Sequence, residues 1–184
     1  MIGALGYIHA TLKGTVRPNR ITWGLWAFEG VAGFMVEVSS KVGAAAYITL
    51  MFGILPALVV AASFFGKSGV WKMGVFDWLC GAVAASGVVV WMLVNSATLS
   101  LVIFVGANTL AGLPTLVKAW RAPKSESLAP SVTGVGYCII TLLTLHQLTT
   151  AGALFPGSIL VFDAAMVVTL TWARRREASR VRTP

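Results

Sequence analysis

Thirteen of the 14 Lys and Arg residues in this 184-residue chain fall on one side of a membrane when its apolar runs are threaded through in alternate directions. The runs lie at roughly 2–12, 21–38, 43–65, 76–94, 97–117, 131–149 and 153–172. All but the first approach the ~20 residues needed to cross a hydrocarbon core at a helical rise of ~1.5 Å per residue. On one side of the threading the connections carry only Lys41. On the other they carry Lys13, Arg17, Arg20, Lys67, Lys72, Lys118, Arg121 and Lys124, and the tail adds Arg174, Arg175, Arg176, Arg180 and Arg182. Positive charge marks the cytoplasmic face, so the N-terminus is expected outside and the C-terminus inside a cell membrane. Miscounting by a single run would scatter the cations over both faces.

Composition leads to the same class. The chain is 57% hydrophobic and only 11% charged, which suits an all-α, multi-pass helical bundle and excludes an ordinary soluble domain. A pI near 10.1 in a soluble protein would point to nucleic acid. Here the cations are interfacial, so anionic lipid headgroups are the expected counter-charge and no nucleic-acid partner is expected. Cys80 and Cys138 lie inside apolar runs and read as small buried side chains. Trp23, Trp71, Trp78, Trp120 and Trp172 cluster at run ends beside the basic loops, where indole rings prefer the headgroup level. Trp91 marks the outer interface, and Trp26, one turn deeper than Trp23, packs in the bundle.

The first run is short, spanning only about 17 Å at helical rise. Either the true start lies upstream of Met1, or this is a half-helix held inside the bundle. Its end, Ile8-His9-Ala10-Thr11-Leu12-Lys13, aligns with Leu113-Pro114-Thr115-Leu116-Val117-Lys118, and the same register puts Pro18 on Pro123. In each copy an apolar helix ends in Lys, passes through a basic Pro-containing turn and re-enters the membrane. That register makes the first three runs equivalent to the last three. The expectation is about seven transmembrane helices as two parallel three-helix repeats, 1–65 and 97–173, with 66–96 as a linker helix and 174–184 as a basic cytoplasmic tail.

Leu113-Pro114-Thr115-Leu116, followed by Lys118-Ala119-Trp120-Arg121 and Lys124-Ser125-Glu126-Ser127, resembles the PQ-loop motif of the SWEET and SemiSWEET transporters. Thr115 stands where that motif carries Gln, and His9-Ala10 replaces the pair in the first copy. Gly6-Tyr7-Ile8, Lys13-Gly14 and Arg17-Pro18-Asn19-Arg20-Ile21-Thr22-Trp23 resemble the first copy in bacterial SWEET-like membrane proteins. The resemblance implies seven helices, an outside N-terminus and solute transport. It also implies a hinge at Pro114, where the missing backbone hydrogen bond lets the bundle rock. Pro56 reads as a static kink.

No glycine-rich phosphate loop, His/Glu metal motif or serine elbow occurs, so neither enzymatic chemistry nor a cofactor or metal is expected. Gly30, Gly33, Ala84, Gly87, Ala111, Gly134 and Gly136 read as positions of close helix packing. The informative residues are polar groups deep in the runs, because an ionisable side chain there is costly and faces a cavity or a partner. Glu29 lies about 12 Å in from the basic end of the second run. Asn108 lies about 16 Å and Asp163 about 15 Å in from the outer ends of the fifth and seventh. Facing triplets would let these three share one central cavity; each could instead be a neutral, hydrogen-bonded clamp between helices. Glu37, Asp77, Glu126 and Glu177 fall nearer membrane edges or in water, and His146-Gln147 near the outer face.

With no Lys or Arg in the middle of any run, Asp163 is expected either to be neutral or to be reached by water, solute or an exchanging proton. The reading that follows is a transporter moving a small polar solute by alternating access. Asn108 would hydrogen-bond the solute, and Asp163 and Glu29 would bind it or a coupling proton. A membrane scaffold or receptor-like protein with the same fold is the alternative, and homo-oligomerisation stays open.

Overall fold

The computed structural model describes residues 2–39, 46–66, 71–94, 97–144 and 150–182. These form seven α-helices and no strand: α1 Ile2–Lys13, α2 Arg20–Ser39, α3 Ala46–Phe65, α4 Val75–Leu93, α5 Ala97–Arg121, α6 Ala129–Thr144 and α7 Thr150–Arg182. A 3-10 turn, Pro123–Ser125, follows α5. Among the described residues three helices are long and apolar enough to cross a membrane, within Val75–Leu93, Val102–Arg121 and Ala153–Ser179. Shorter apolar stretches, Leu50–Phe65 and Ala129–Leu143, lie in α3 and α6. Lys41, Lys67, Asn95, Ser96 and His146-Gln147 lie outside the described residues.

The helices follow the apolar runs, with one face buried against neighbouring helices and the other left exposed. On α4 the buried positions Asp77, Cys80, Gly81, Ala84 and Val88 recur at helical spacing. Phe76, Leu79, Val83 and Val90 on its other faces are exposed. An exposed belt of that size would drive aggregation in water and is ordinary against lipid. Small residues set the closest approaches. A Cβ built on Gly30 of α2 would stand 2.3 Å from the Gly53 backbone nitrogen of α3, so these helices touch backbone to backbone. Gly87 of α4 meets the Ala107 Cβ of α5 in the same test, at 3.2 Å. Gly136, by contrast, faces open space and is no packing position.

α3 packs on both α1 and α2, and α7 packs on both α5 and α6. Contacts between these groups run from α1 to α6 and from α2 to α5, while α4 lies against α5 and α2. The basic stretch after residue 173 continues α7 as helix to Arg182. Pro114 is buried within α5, which runs on to Arg121, and Pro56 is buried within α3.

The loops at the basic end are tied down by side chains. The Asn19 carboxamide oxygen accepts from the backbone N–H of Ile21 (3.1 Å) and Thr22 (3.4 Å), capping α2. Its Nδ2 donates to Asp77 Oδ1 at 2.6 Å, and Asp77 Oδ2 accepts from Gly74 N–H at 2.7 Å. Asp77 thereby sits at the N-terminus of α4, where a carboxylate is favoured by the helix dipole. It is buried, not in water, because Asn19 satisfies it. Among the tryptophans, Trp78, Trp120 and Trp172 are exposed. Trp23 is not: it is 7% exposed in a core cluster with Tyr7, Val16 and Val59.

Candidate functional site

Neighbours on each side fix which way α2 faces α5. Ile21 is turned toward Gly81 of α4, and Gly30 lies on Gly53 of α3. Between those directions, at helical spacing, come Thr22, Trp26 and Glu29. On α5, Ala107 meets Gly87 of α4 and Gly112 meets Phe162 of α7, which leaves Asn108 and Thr115 facing between them. The two faces meet at mid-helix. Asn108 Nδ2 donates to Glu29 Oε2 at 2.6 Å, and the indole N–H of Trp26 donates to the Asn108 carbonyl at 3.3 Å. Glu29 is 2% exposed, and its second oxygen, Oε1, has no hydrogen-bond partner. Trp26 is flanked edge-on by Trp23 (ring centroids 5.4 Å) and Phe162 (5.9 Å), an aromatic wall beside the pair.

Asp163 takes a different direction. It is half-buried on α7 against α6, where it is hydrogen-bonded to the Ser131 side chain. A Cβ built on Gly134 would stand 1.9 Å from Asp163 Oδ2, so the carboxylate occupies the space that any larger residue there would need. Of the three deep polar residues, therefore, Glu29 and Asn108 come together, and Asp163 is engaged with α6. Phe162, the residue before Asp163, is what reaches the aromatic wall.

The second concentration of buried polar groups is at the basic end, where the sequence pattern had placed Lys118 among the interfacial cations and Glu126 nearer a membrane edge or in water. Lys118 is 0% and Glu126 3% exposed. The Lys118 ammonium pairs with Glu126 Oε1 and donates to the Arg17 carbonyl. Tyr7, 1% exposed, donates its hydroxyl to Glu126 Oε2 at 2.8 Å. Arg17 N–H donates to the Ser125 carbonyl at 2.9 Å, and Arg174 Nη2 donates to the Glu126 carbonyl at 2.7 Å. Lys118 is thus no lipid-facing cation. The turn between α5 and α6 folds back over the α1–α2 turn, and Glu126 brings Lys118 a counter-ion there. Beside this cluster opens a cleft of about 430 Å³ lined by Thr15, Val16, Lys124, Glu126, Ser127 and Arg174, among others.

A Lys-to-Glu spacing of eight residues across a Pro-containing turn offers no helical-face signal, so the Lys118–Glu126 pair could not be read from the sequence. Thr22 and Thr115, which the sequence placed in the two motif copies without a role, are both buried, and neither hydroxyl has a hydrogen-bond partner. No group of three or more His, Cys, Asp or Glu placed to hold a metal occurs among the described residues. No protein-family profile, curated protein or solved structure matches this chain significantly.

Proposed function

We propose that the protein is a multi-pass membrane transporter that moves a small polar solute by alternating access, with the Glu29–Asn108 pair at the centre of its site. The observation that carries this reading is the hydrogen bond between those two side chains. It joins α2 to α5 at mid-helix, where a buried acid is retained only for a partner or a function. A three-plus-one-plus-three plan with the basic face cytoplasmic is part of the same proposal. Its support is the order of packing. The third helix lies on the other two in each triplet, and the contacts α1–α6 and α2–α5 exchange under a two-fold relation between triplets. In that register Glu29 falls on Gly134, against which the Asp163 carboxylate lies. The two halves would then each hold one carboxylate at matching places. Donors to each, Asn108 and Ser131, suit hydroxyl-rich or amine-bearing solutes.

The test is solute exchange. Purified protein would be screened for thermal stabilisation by sugars, amino acids and vitamins at two pH values, and the hits assayed for uptake into vesicles. Glu29→Gln and Asn108→Ala should each abolish uptake at matched protein levels. Uptake unchanged in both variants would remove the site. A second reading, a membrane scaffold or receptor-like protein with the same bundle, is favoured by the engagement of Asp163 with Ser131 and Gly134 inside one helix pair. On that reading no solute stabilises the protein, and Glu29→Leu folds at least as well as the parent.

A further inference from the structure

Three buried oxygens without a hydrogen-bond partner lie on one seam. Thr22 Oγ1 and Glu29 Oε1 are on the α5-facing stripe of α2, and Thr115 Oγ1 is on the α2-facing stripe of α5. The helices run antiparallel, since Lys118 near the end of α5 reaches the Arg17 carbonyl just before α2, while Asn108 reaches Glu29 deeper in. The step from Thr22 to Glu29 on one helix equals the step from Thr115 back to Asn108 on the other. The two threonines are therefore level with each other, about 10 Å along the axis from the Glu29–Asn108 pair. Trp26 and Ala111 occupy the level between. One helical turn beyond Thr115, Lys118 opens the polar cluster of the basic end.

A buried hydroxyl left without a partner costs about 1–3 kcal/mol. Native proteins avoid that cost by pairing the group or by holding an ordered water on it. Three such oxygens line up from a charged cluster to a carboxyl group, with the Trp26 and Ala111 level lying between the threonines and Glu29. We infer that the α2–α5 seam holds a file of internal water that connects the basic face to Glu29 through Thr22 and Thr115, and that Glu29 exchanges its proton with that face. A separation of about 10 Å is bridged by about three waters at hydrogen-bond spacing. The Glu29 carboxyl is buried, and among the described residues its hydrogen bond comes from Asn108 at Oε2 while Oε1 has no partner. The seam is then the path by which that proton reaches the basic face. This assigns the proton to Glu29 and not to Asp163; it rests on Glu29 belonging to the proposed site.

The test is infrared spectroscopy of the full-length protein in lipid nanodiscs, moved from H2O into D2O. The parent should show a deuterium-sensitive carboxylic C=O band that Glu29→Gln removes. Thr22→Val/Thr115→Val should keep that band and slow its exchange by roughly tenfold or more, as expected when buried water loses two hydrogen-bond partners. Each single Val variant should slow it in part, and Thr22→Ser/Thr115→Ser, which keeps both hydroxyls, should exchange at the parent's rate. An unchanged rate in the Val double variant, a slowed rate in the Ser double variant, or the lack of any band lost in Glu29→Gln would overturn the inference. Solute uptake is read in parallel. Slowed exchange in a protein that moves no solute supports the seam and removes the transport reading alone; intact uptake with unchanged exchange removes the seam alone.

Discussion

Replacing Lys118 by Met removes the cation from a cluster in which Tyr7, Lys118 and Glu126 are almost fully covered. Glu126, 3% exposed, would be left with only the Tyr7 hydroxyl at 2.8 Å as a side-chain partner, and the Arg17 carbonyl would lose its donor. Removing one partner of a buried pair costs about 3–5 kcal/mol, because the remaining ion is desolvated without compensation. For a chain of this size that corresponds to a fall of roughly 6–20 °C in Tm. Lys118→Met/Glu126→Gln should regain most of the loss. Both charges are gone, and the Gln amide can still accept from Tyr7 and donate to the Arg17 carbonyl. That double variant is expected within about 1–2 kcal/mol of the parent. Thermal unfolding followed by tryptophan fluorescence in detergent would measure all three proteins. A single variant within ~1 kcal/mol of the parent would mean that the pair is open to water. A double variant no better than the single would mean that Lys118 acts through its stem or the Arg17 carbonyl, not through charge compensation.

Gly30→Val should be among the most damaging single changes, at about 2–4 kcal/mol or failure to assemble, because its Cβ has only the 2.3 Å gap to Gly53 N; Gly136→Ala, in open space, should stay within ~0.5 kcal/mol by the same thermal assay. Pro114→Ala should fold, since it restores a helical hydrogen bond in α5, yet slow solute exchange; equal flux at matched protein levels would make Pro114 a static element. A reporter fused after Pro184 should be cytoplasmic and one inserted at Asn95 should be outside; a cytoplasmic signal at Asn95 would overturn the threading.

The helices were legible because each follows an apolar run of sequence bounded by charged or turn residues. α4 and α5 begin within a residue or so of the runs expected at 76–94 and 97–117. α7 overshot its expected end, since Arg174, Arg175 and Arg176 end a run in hydropathy while remaining good helix formers, so α7 passes through them to Arg182. Position along a run was legible for the same reason that length was, and it drew attention to Glu29 and Asn108, which the structure joins by a hydrogen bond. Azimuth was not. A rotation of 100° per residue about axes whose positions are unknown decides which helix a side chain meets, and only packing at Gly30, Gly81 and Gly112 fixes it here.

That difference between depth and azimuth explains Asp163. Its depth matches that of Glu29 and Asn108, so hydropathy alone would gather all three. Its direction is set instead by the absence of a side chain at Gly134, which leaves room for a carboxylate on α6, and by Ser131, which is buried at 5% exposure and hydrogen-bonded to Asp163. An Asp at that point is cheaper than its depth suggests, because a glycine and a hydroxyl were placed to receive it. The consequence is measurable. Gly134→Ala must push the carboxylate away from α6, since its Cβ would stand 1.9 Å from Oδ2. If Asp163 is only a clamp between α6 and α7, the result is a loss of about 1–3 kcal/mol and no change in solute handling. If it serves the bundle centre, the freed carboxylate turns toward the aromatic wall of Trp26 and Phe162, and solute affinity changes before stability does. Asp163→Asn in the Gly134→Ala background separates the two. A clamp that is already broken loses little more stability on neutralisation, whereas a binding group loses affinity a second time.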